Sequence, residues 1–481
     1  MDNSYRLVSP ECLDAMVSSA LHMIEEIGIE TNRQDMLERA RGLSGLLVRG
    51  DRIHVTPEVA REVIDRGGVD RRTVHENQNC SVPGGAVERP TINVSDRATW
   101  IADHHARELK PLMRSDVIAG TKLIDALSPR CVEGTTSGTP QDTIAPLQPI
   151  EQYLIGFRYS RNGGSTCVPL TPKVARFLSA IREVAEENFD SKQRHFSVWV
   201  PSPLKLEGNE LDDLLDSGVQ VLSFYVGSMP IMGMTGPVDP VGVYTLALAE
   251  TLGGAAILHR LFPDARASFY PHPEPMDPAT GVMAFGTPEW TRLELMQREI
   301  LEHLGMVAHR MDVLTSACMP DAQAQADKMA ALALGVAHGY TCFNLFPLCA
   351  DEAWSHAQLV LDVEYVHRAW EIQRWTAVVG RAEDAFETVV HSVRADEIVG
   401  AMKDTVLHLR ENYFRSPLPR VFTSSQWGDA GRPDPLADAE AYARELIGKA
   451  DYAPAEDKYR KVVDIYHQAC REFGAEPLEL E

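Results

Sequence analysis

The sequence predicts an α/β protein: a (β/α)8 TIM barrel with an N-terminal mixed helical/β extension and C-terminal helices. Eight short apolar or β-rich runs recur along the chain with amphipathic helical stretches between most of them, the pattern of a parallel sheet. Eight such units close naturally into a barrel. No GxGxxG follows any of the runs, which counts against a doubly wound open sheet with the same rhythm. The 481 residues, 44% of them hydrophobic and 24% charged, are enough for a large core.

The elements follow in order. In residues 1–110, Ser9 and Pro10 form a helix start, with serine as N-cap and proline at the first helical position. Ala15, Met16, Ala20, Met23 and Ile24 keep helical spacing until Gly28 stops the run. Residues 52–56 read as a short strand, Pro57 opens another helix, and Gly84, Gly85 and Pro90 punctuate the exit. Residues 111–415 form the expected barrel, with strand candidates at 130–133, 165–168, 195–200, 219–225, 266–270, 306–309, 339–344 and 387–391. Helical stretches at 174–185, 288–304, 322–337 and 352–379 lie among them. The tail, residues 416–481, opens with a turn-rich patch. Two helices at about 436–450 and 455–473 then pack on the barrel or on a second subunit.

Lys+Arg number 46 against Asp+Glu 69, a formal net charge of −23. Such a surface repels phosphates and anionic lipid heads, so neither a nucleic acid nor a membrane is expected as partner. It favours a cationic ligand or a basic partner, and it also serves plain solubility. The eight cysteines include no CxxC pair, which fits a reducing compartment. The first residues do not have the pattern of a signal peptide, and the longest apolar run, read at 329–337, is too short for a bilayer. A cytoplasmic protein is expected.

In a barrel the active site lies where the strands end. Those ends are Glu133, Trp199, Tyr225, Tyr270 with His272, His309, Phe343 and His391. They include no serine nucleophile elbow and no HExxH pair. His104 and His105 are adjacent and would diverge on a regular element, so no bound metal is expected and no side chain is assigned a catalytic role. Aromatic rings at the mouth suit an organic cation, at roughly 0.5–2 kcal/mol per contact. Residues 225–240 are unusual for Met229, Met232 and Met234 interleaved with glycines and prolines. Such a loop suits the flat face of a macrocycle, or equally is a well-packed loop with methionine as filler.

The run Gly227-Ser-Met-Pro-Ile-Met-Gly-Met-Thr-Gly-Pro-Val, with the long helix over 241–261, resembles the trimethylamine methyltransferase family. Cys318-Met-Pro-Asp-Ala-Gln-Ala-Gln, Glu25-Glu-Ile-Gly-Ile-Glu-Thr, Thr405-Val-Leu-His-Leu-Arg-Glu and Ser416-Pro-Leu-Pro-Arg carry the same resemblance, over nearly the whole chain. The resemblance implies a barrel that moves a methyl group from a methylated amine to the Co(I) of a corrinoid (cobalamin) carried by a cognate corrinoid protein. The chain shows no nonstandard residue, so it resembles the branch without pyrrolysine, whose donors are small quaternary amines such as glycine betaine, carnitine or proline betaine. On this reading Glu133, Tyr225, Tyr270, His272, His309 and Phe343 form the substrate pocket, and Gly233, Met234 and Gly236 face the corrin. Relatives carry a Gly-Gly-His-Phe-Leu loop where this chain has Val399-Gly-Ala-Met-Lys-Asp404, which leaves the donor open. The alternatives are a non-catalytic paralogue that binds a betaine or corrinoid, and a methyltransferase with another donor or acceptor. Homo-oligomers are common among large acidic barrels, though nothing in the sequence fixes a symmetry.

Overall fold

The computed structural model describes residues 6–67, 89–168, 170–306, 310–374, 382–396, 413–418 and 421–478, with 398, 406 and 409. The first helix, Pro10–Glu26, is capped by Ser9, whose Oγ accepts from the Cys12 amide at 3.2 Å. Behind it β1 (Ile29–Glu30), β2 (Leu46–Arg49) and β3 (Arg52–Val55) form an antiparallel sheet in the order β1-β3-β2. After β4 (Thr91–Val94), the hairpin strands β5 (Trp100–Asp103) and β6 (Glu108–Pro111) pair with each other, and β5 also pairs with β13 (Ala353–Trp354).

Two parallel sheets build the centre. One comprises β4, β7 (Val132–Glu133), β11 (Arg310–Val313) and β12 (Cys342–Leu345) in the order β11-β12-β4-β7. The other comprises β8 (Gln193–Val200), β9 (Gln220–Ser228) and β10 (Arg266–Pro271) in the order β10-β9-β8. Helices such as Arg114–Ala126, Pro172–Ala185, Pro288–His303 and Ala322–His338 separate the strands, as parallel crossovers require. The last strand of the first sheet, β12, pairs in register with its first, β4, from Cys342↔Thr91 to Leu345↔Val94.

The helix Pro240–Leu261 is apolar on every side and long enough to cross a membrane, but the fold itself buries it. The expectation that residues 329–337 hold the longest apolar run is corrected by this helix. Glu250 is the one carboxylate in it, fully buried. That carboxylate accepts from the Leu204 amide at 2.9 Å, from Ser202 Oγ at 2.8 Å and from Ser228 Oγ, which offsets the cost of its burial.

Three other expectations change. β4 lies in the parallel sheet, ahead of the residue 111 boundary and among residues read as lead-in. Residues 387–391, read as a strand, belong to the helix Ala382–Ala395, because Phe386, Val389, Val390 and Val393 follow helical spacing that outweighs their β-branched content. Residues 165–168 run without ladder pairing. Of the stretch 306–309, residues 307–309 lie outside the described residues, and β11 is assigned from Arg310.

Candidate active site

A cavity of about 1570 Å³ opens between the two parallel sheets, lined from both. Strand register places its walls. Across the first sheet, Asp312 pairs with Asn344, Asn344 with Asn93, and Asn93 with Glu133, so one polar row crosses four parallel strands. All four line the cavity, and Asn344 Nδ2 donates to Asp312 Oδ1 at 3.1 Å. Side chains alternate along a strand, and Ile92, Val132, Met311, Val313, Phe343 and Leu345 beside this row turn away from the cavity.

The opposite wall is aromatic. Trp199 meets Tyr225 edge-on at 6.0 Å between ring centroids, and Tyr225 lies 5.8 Å from Tyr270. Tyr270 stacks on His272 at 5.1 Å, and His272 meets Trp290 at 5.5 Å. Burial raises both tyrosine pKa values above the usual phenol range, so the rings present neutral faces.

His272 anchors this wall through two buried carboxylates. Its Nδ1 is 3.1 Å from Glu274 Oε1 and its Nε2 is 2.7 Å from Glu294 Oε1. Burial alone would lower the imidazole pKa, but the charges and hydrogen bonds of these carboxylates outweigh it and hold the ring protonated well above its ordinary range. Glu294 Oε2 in turn accepts from the Asp312 amide at 3.0 Å, which ties the end of β10 to β11. Burial pushes Glu274 up to about 7 against the pull of His272, and its Oε2 is buried without a hydrogen-bond partner. Asp351, hydrogen-bonded by Ser95 Oγ at 2.8 Å, is likewise pushed up to about 7 by burial.

Of the residues expected at the site, Glu133, Tyr225, Tyr270 and His272 line this one cavity. Phe343 does not. It points the other way into the core behind β12, towards Gly335 of the helix Ala322–His338, while its neighbour Asn344 takes the cavity position. Reading the strand end one residue early reverses the face. His309 and the 399–404 loop lie outside the described residues. Gly233, Met234 and Gly236 stand beside the cavity without lining it, whereas Met229 lines it. The Ile231 carbonyl accepts from the amides of Met234, Thr235 and Gly236, a tight turn that uses φ +82 at Gly233 and turns Met234 outward. Gly236 packs inside the loop, where a Cβ would lie 2.9 Å from Val243.

The sequence reading missed Asn93, Glu274, Trp290, Asn344 and Asp351. One signal was available: His272 and Glu274 are two apart in Pro271-His-Pro-Glu, and an extended segment puts such residues on one side.

Comparison with known families decides the class. A family model described as trimethylamine methyltransferase (MTTB) matches residues 1–468. The chain belongs to that family. It is therefore a transferase, a corrinoid-dependent methylamine methyltransferase that acts with a corrinoid protein as partner and an amine as substrate. No curated protein matches the chain.

Proposed function

We propose that this methyltransferase demethylates a quaternary amine of the betaine class and belongs to the branch of its family without pyrrolysine. The observation that carries the reading is the lining of the cavity. Seven carboxylates, Asp96, Glu133, Glu210, Glu274, Asp312, Asp351 and Glu352, outnumber three cations, Arg97, Arg310 and the protonated His272. Opposite them stand Trp199, Tyr225, Tyr270 and Trp290. An acidic, aromatic enclosure favours a quaternary ammonium, whose charge is spread over methyl groups and which cannot donate a hydrogen bond. Arg310, with its Nε 3.9 Å from Asp312 Oδ1, is the cation suited to a substrate carboxylate.

The donor needs no acid catalyst. The nucleophilic cobalt(I) of the partner's corrinoid supplies the electron pair that forms the new bond to the methyl carbon. The carbon–nitrogen bond breaks, nitrogen keeps that pair, and a neutral tertiary amine leaves. The chain's part is to hold one methyl group towards the opening and to exclude water. The cavity exceeds the 300–1,000 Å³ usual for small ligands, which leaves room for a macrocycle to approach above the amine.

The two parallel sheets are read here as arcs of one (β/α)8 barrel. The β12–β4 pairing supports this, since it joins the last parallel strand to the first. His272 Nε2 lies 4.0 Å from Asp312 Oδ2 across the joint between β10 and β11, and beyond β7 Thr135 Oγ1 contacts Ser165 Oγ of the unpaired run 165–168.

The purified protein, incubated under anoxia with cob(I)alamin, the corrinoid partner and a panel of quaternary amines, tests the function through the visible spectrum. Conversion to methylcob(III)alamin with a betaine is expected. Tight betaine binding by calorimetry with no conversion in the presence of the partner would instead identify a binding paralogue.

A further inference from the structure

A second cluster of ligating side chains lies apart from the cavity. His104 and His105 sit in the turn of the β5–β6 hairpin, where the backbone is not regular and adjacent side chains need not diverge. Their rings lie 4.1 Å apart. Both reach one carboxylate on the helix Pro435–Lys449: His104 Nε2 is 3.5 Å from Glu440 Oε1, and His105 Nε2 is 3.1 Å from Glu440 Oε2. One ligand atom from each of the three residues lies within 4.8 Å of the others.

An independent observation comes from the space beneath. His104, Glu440 and His356 border a cavity of about 280 Å³. His356 Nε2 is buried and has no hydrogen-bond partner. Two imidazole N–H groups could satisfy Glu440 alone, but the cavity beside the cluster leaves room for a cation.

We propose that His104, His105 and Glu440 form a three-donor binding site for a divalent transition metal of the zinc class. Imidazole and carboxylate donors suit zinc, whereas calcium takes six to eight oxygens and magnesium an octahedron of oxygens. Tetrahedral bonds of about 2.0–2.1 Å place donor atoms about 3.4 Å apart, close to the two separations seen here. Arg444, 3.9 Å from Glu440 Oε2, is the one opposing cation recorded at the cluster among the described residues, and its side chain is largely solvated. None of the three proposed ligands lines the large cavity. The ion is therefore structural: it fastens the β5–β6 turn to the helix Pro435–Lys449.

The test uses the full chain, stripped with a chelator and carrying Cys318→Ser and Cys349→Ser. These changes remove a thiol pair with sulfurs 3.1 Å apart that would itself take zinc. Calorimetry with Zn²⁺ should show one equivalent bound per chain and a raised unfolding midpoint. Co²⁺ should give the visible absorption of a four-coordinate nitrogen/oxygen site. His105→Ala, at a ring 73% exposed and so harmless to folding, should weaken binding at least tenfold, as should Glu440→Gln. Absence of stoichiometric binding, or binding indifferent to His105→Ala, would overturn the site.

Discussion

Asp351 joins backbone strain to an unfavourable charge. It ends a run of three non-glycine residues with positive φ, Cys349 at +55, Ala350 at +57 and Asp351 at +79. Each such residue costs of order 1–3 kcal/mol and persists only where the surroundings hold it. Here amides of the run donate to the Ala317 and Thr315 carbonyls, at 2.7 and 3.0 Å, and the carboxyl of Asp351 borders the cavity. Its folded pKa, about 7, lies above the unfolded value near 3.9, so folding takes up a proton. Stability is therefore greatest below the unfolded pKa and is lost as pH rises through 7. Asp351→Asn removes this dependence with a residue that also tolerates positive φ. The variant should gain stability over the parent at pH 8, and the gain should shrink by about 2 kcal/mol on going to pH 5 in urea unfolding. It should also bind a cationic amine more weakly. Equal urea midpoints for parent and variant at pH 8 would refute the charge argument.

Between strands the decisive quantity is which face a residue takes. Trp199 on β8 pairs with Gly227 on β9, and a Cβ at Gly227 would lie 2.7 Å from the indole ring. Gly227→Ala must therefore push Trp199 out of the aromatic wall. Amine affinity should fall about tenfold, the order expected for losing one or two ring contacts to a cation, with the fold retained by circular dichroism. Unchanged affinity would mean that the indole does not touch the substrate. The same register logic shows what the sequence could reveal. Runs at 195–200, 219–225 and 266–270 fall on β8, β9 and β10 because each is long and rich in β-branched or aromatic residues. That placed Tyr225, Tyr270 and His272 together. β4 and β12 have only four residues each, too few for alternation to declare itself, so β4 was missed and Phe343 was chosen over Asn344. Glu294 and Asp351 became visible only in three dimensions, since what distinguishes them is burial, Glu294 against His272 and Asp351 against Ser95.

At the scale of the whole molecule, the proposed function has the chain bring a second protein's cobalt to a methyl group held in the cavity, and that requires a docking rim. Met234, Val238 and Val282 are 54%, 74% and 63% exposed, and Met229 beside them lines the cavity. Exposed apolar residues grouped at an opening mark an interaction surface more often than scattered ones do. The loop is rigid where it matters, because the Ile231 carbonyl closes the turn below Met234. Met234→Glu keeps that backbone and changes only the projecting side chain, adding charge to a surface already at −23. Since that side chain points outward, amine binding by calorimetry and the unfolding midpoint should stay within error. Methyl transfer to the corrinoid protein should fall at least tenfold, from the cost of burying an unpaired carboxylate at the interface. If transfer to the protein-bound corrinoid proceeds at the parent rate, the corrin approaches from another face. If amine binding falls in parallel, the loop belongs to the substrate pocket instead.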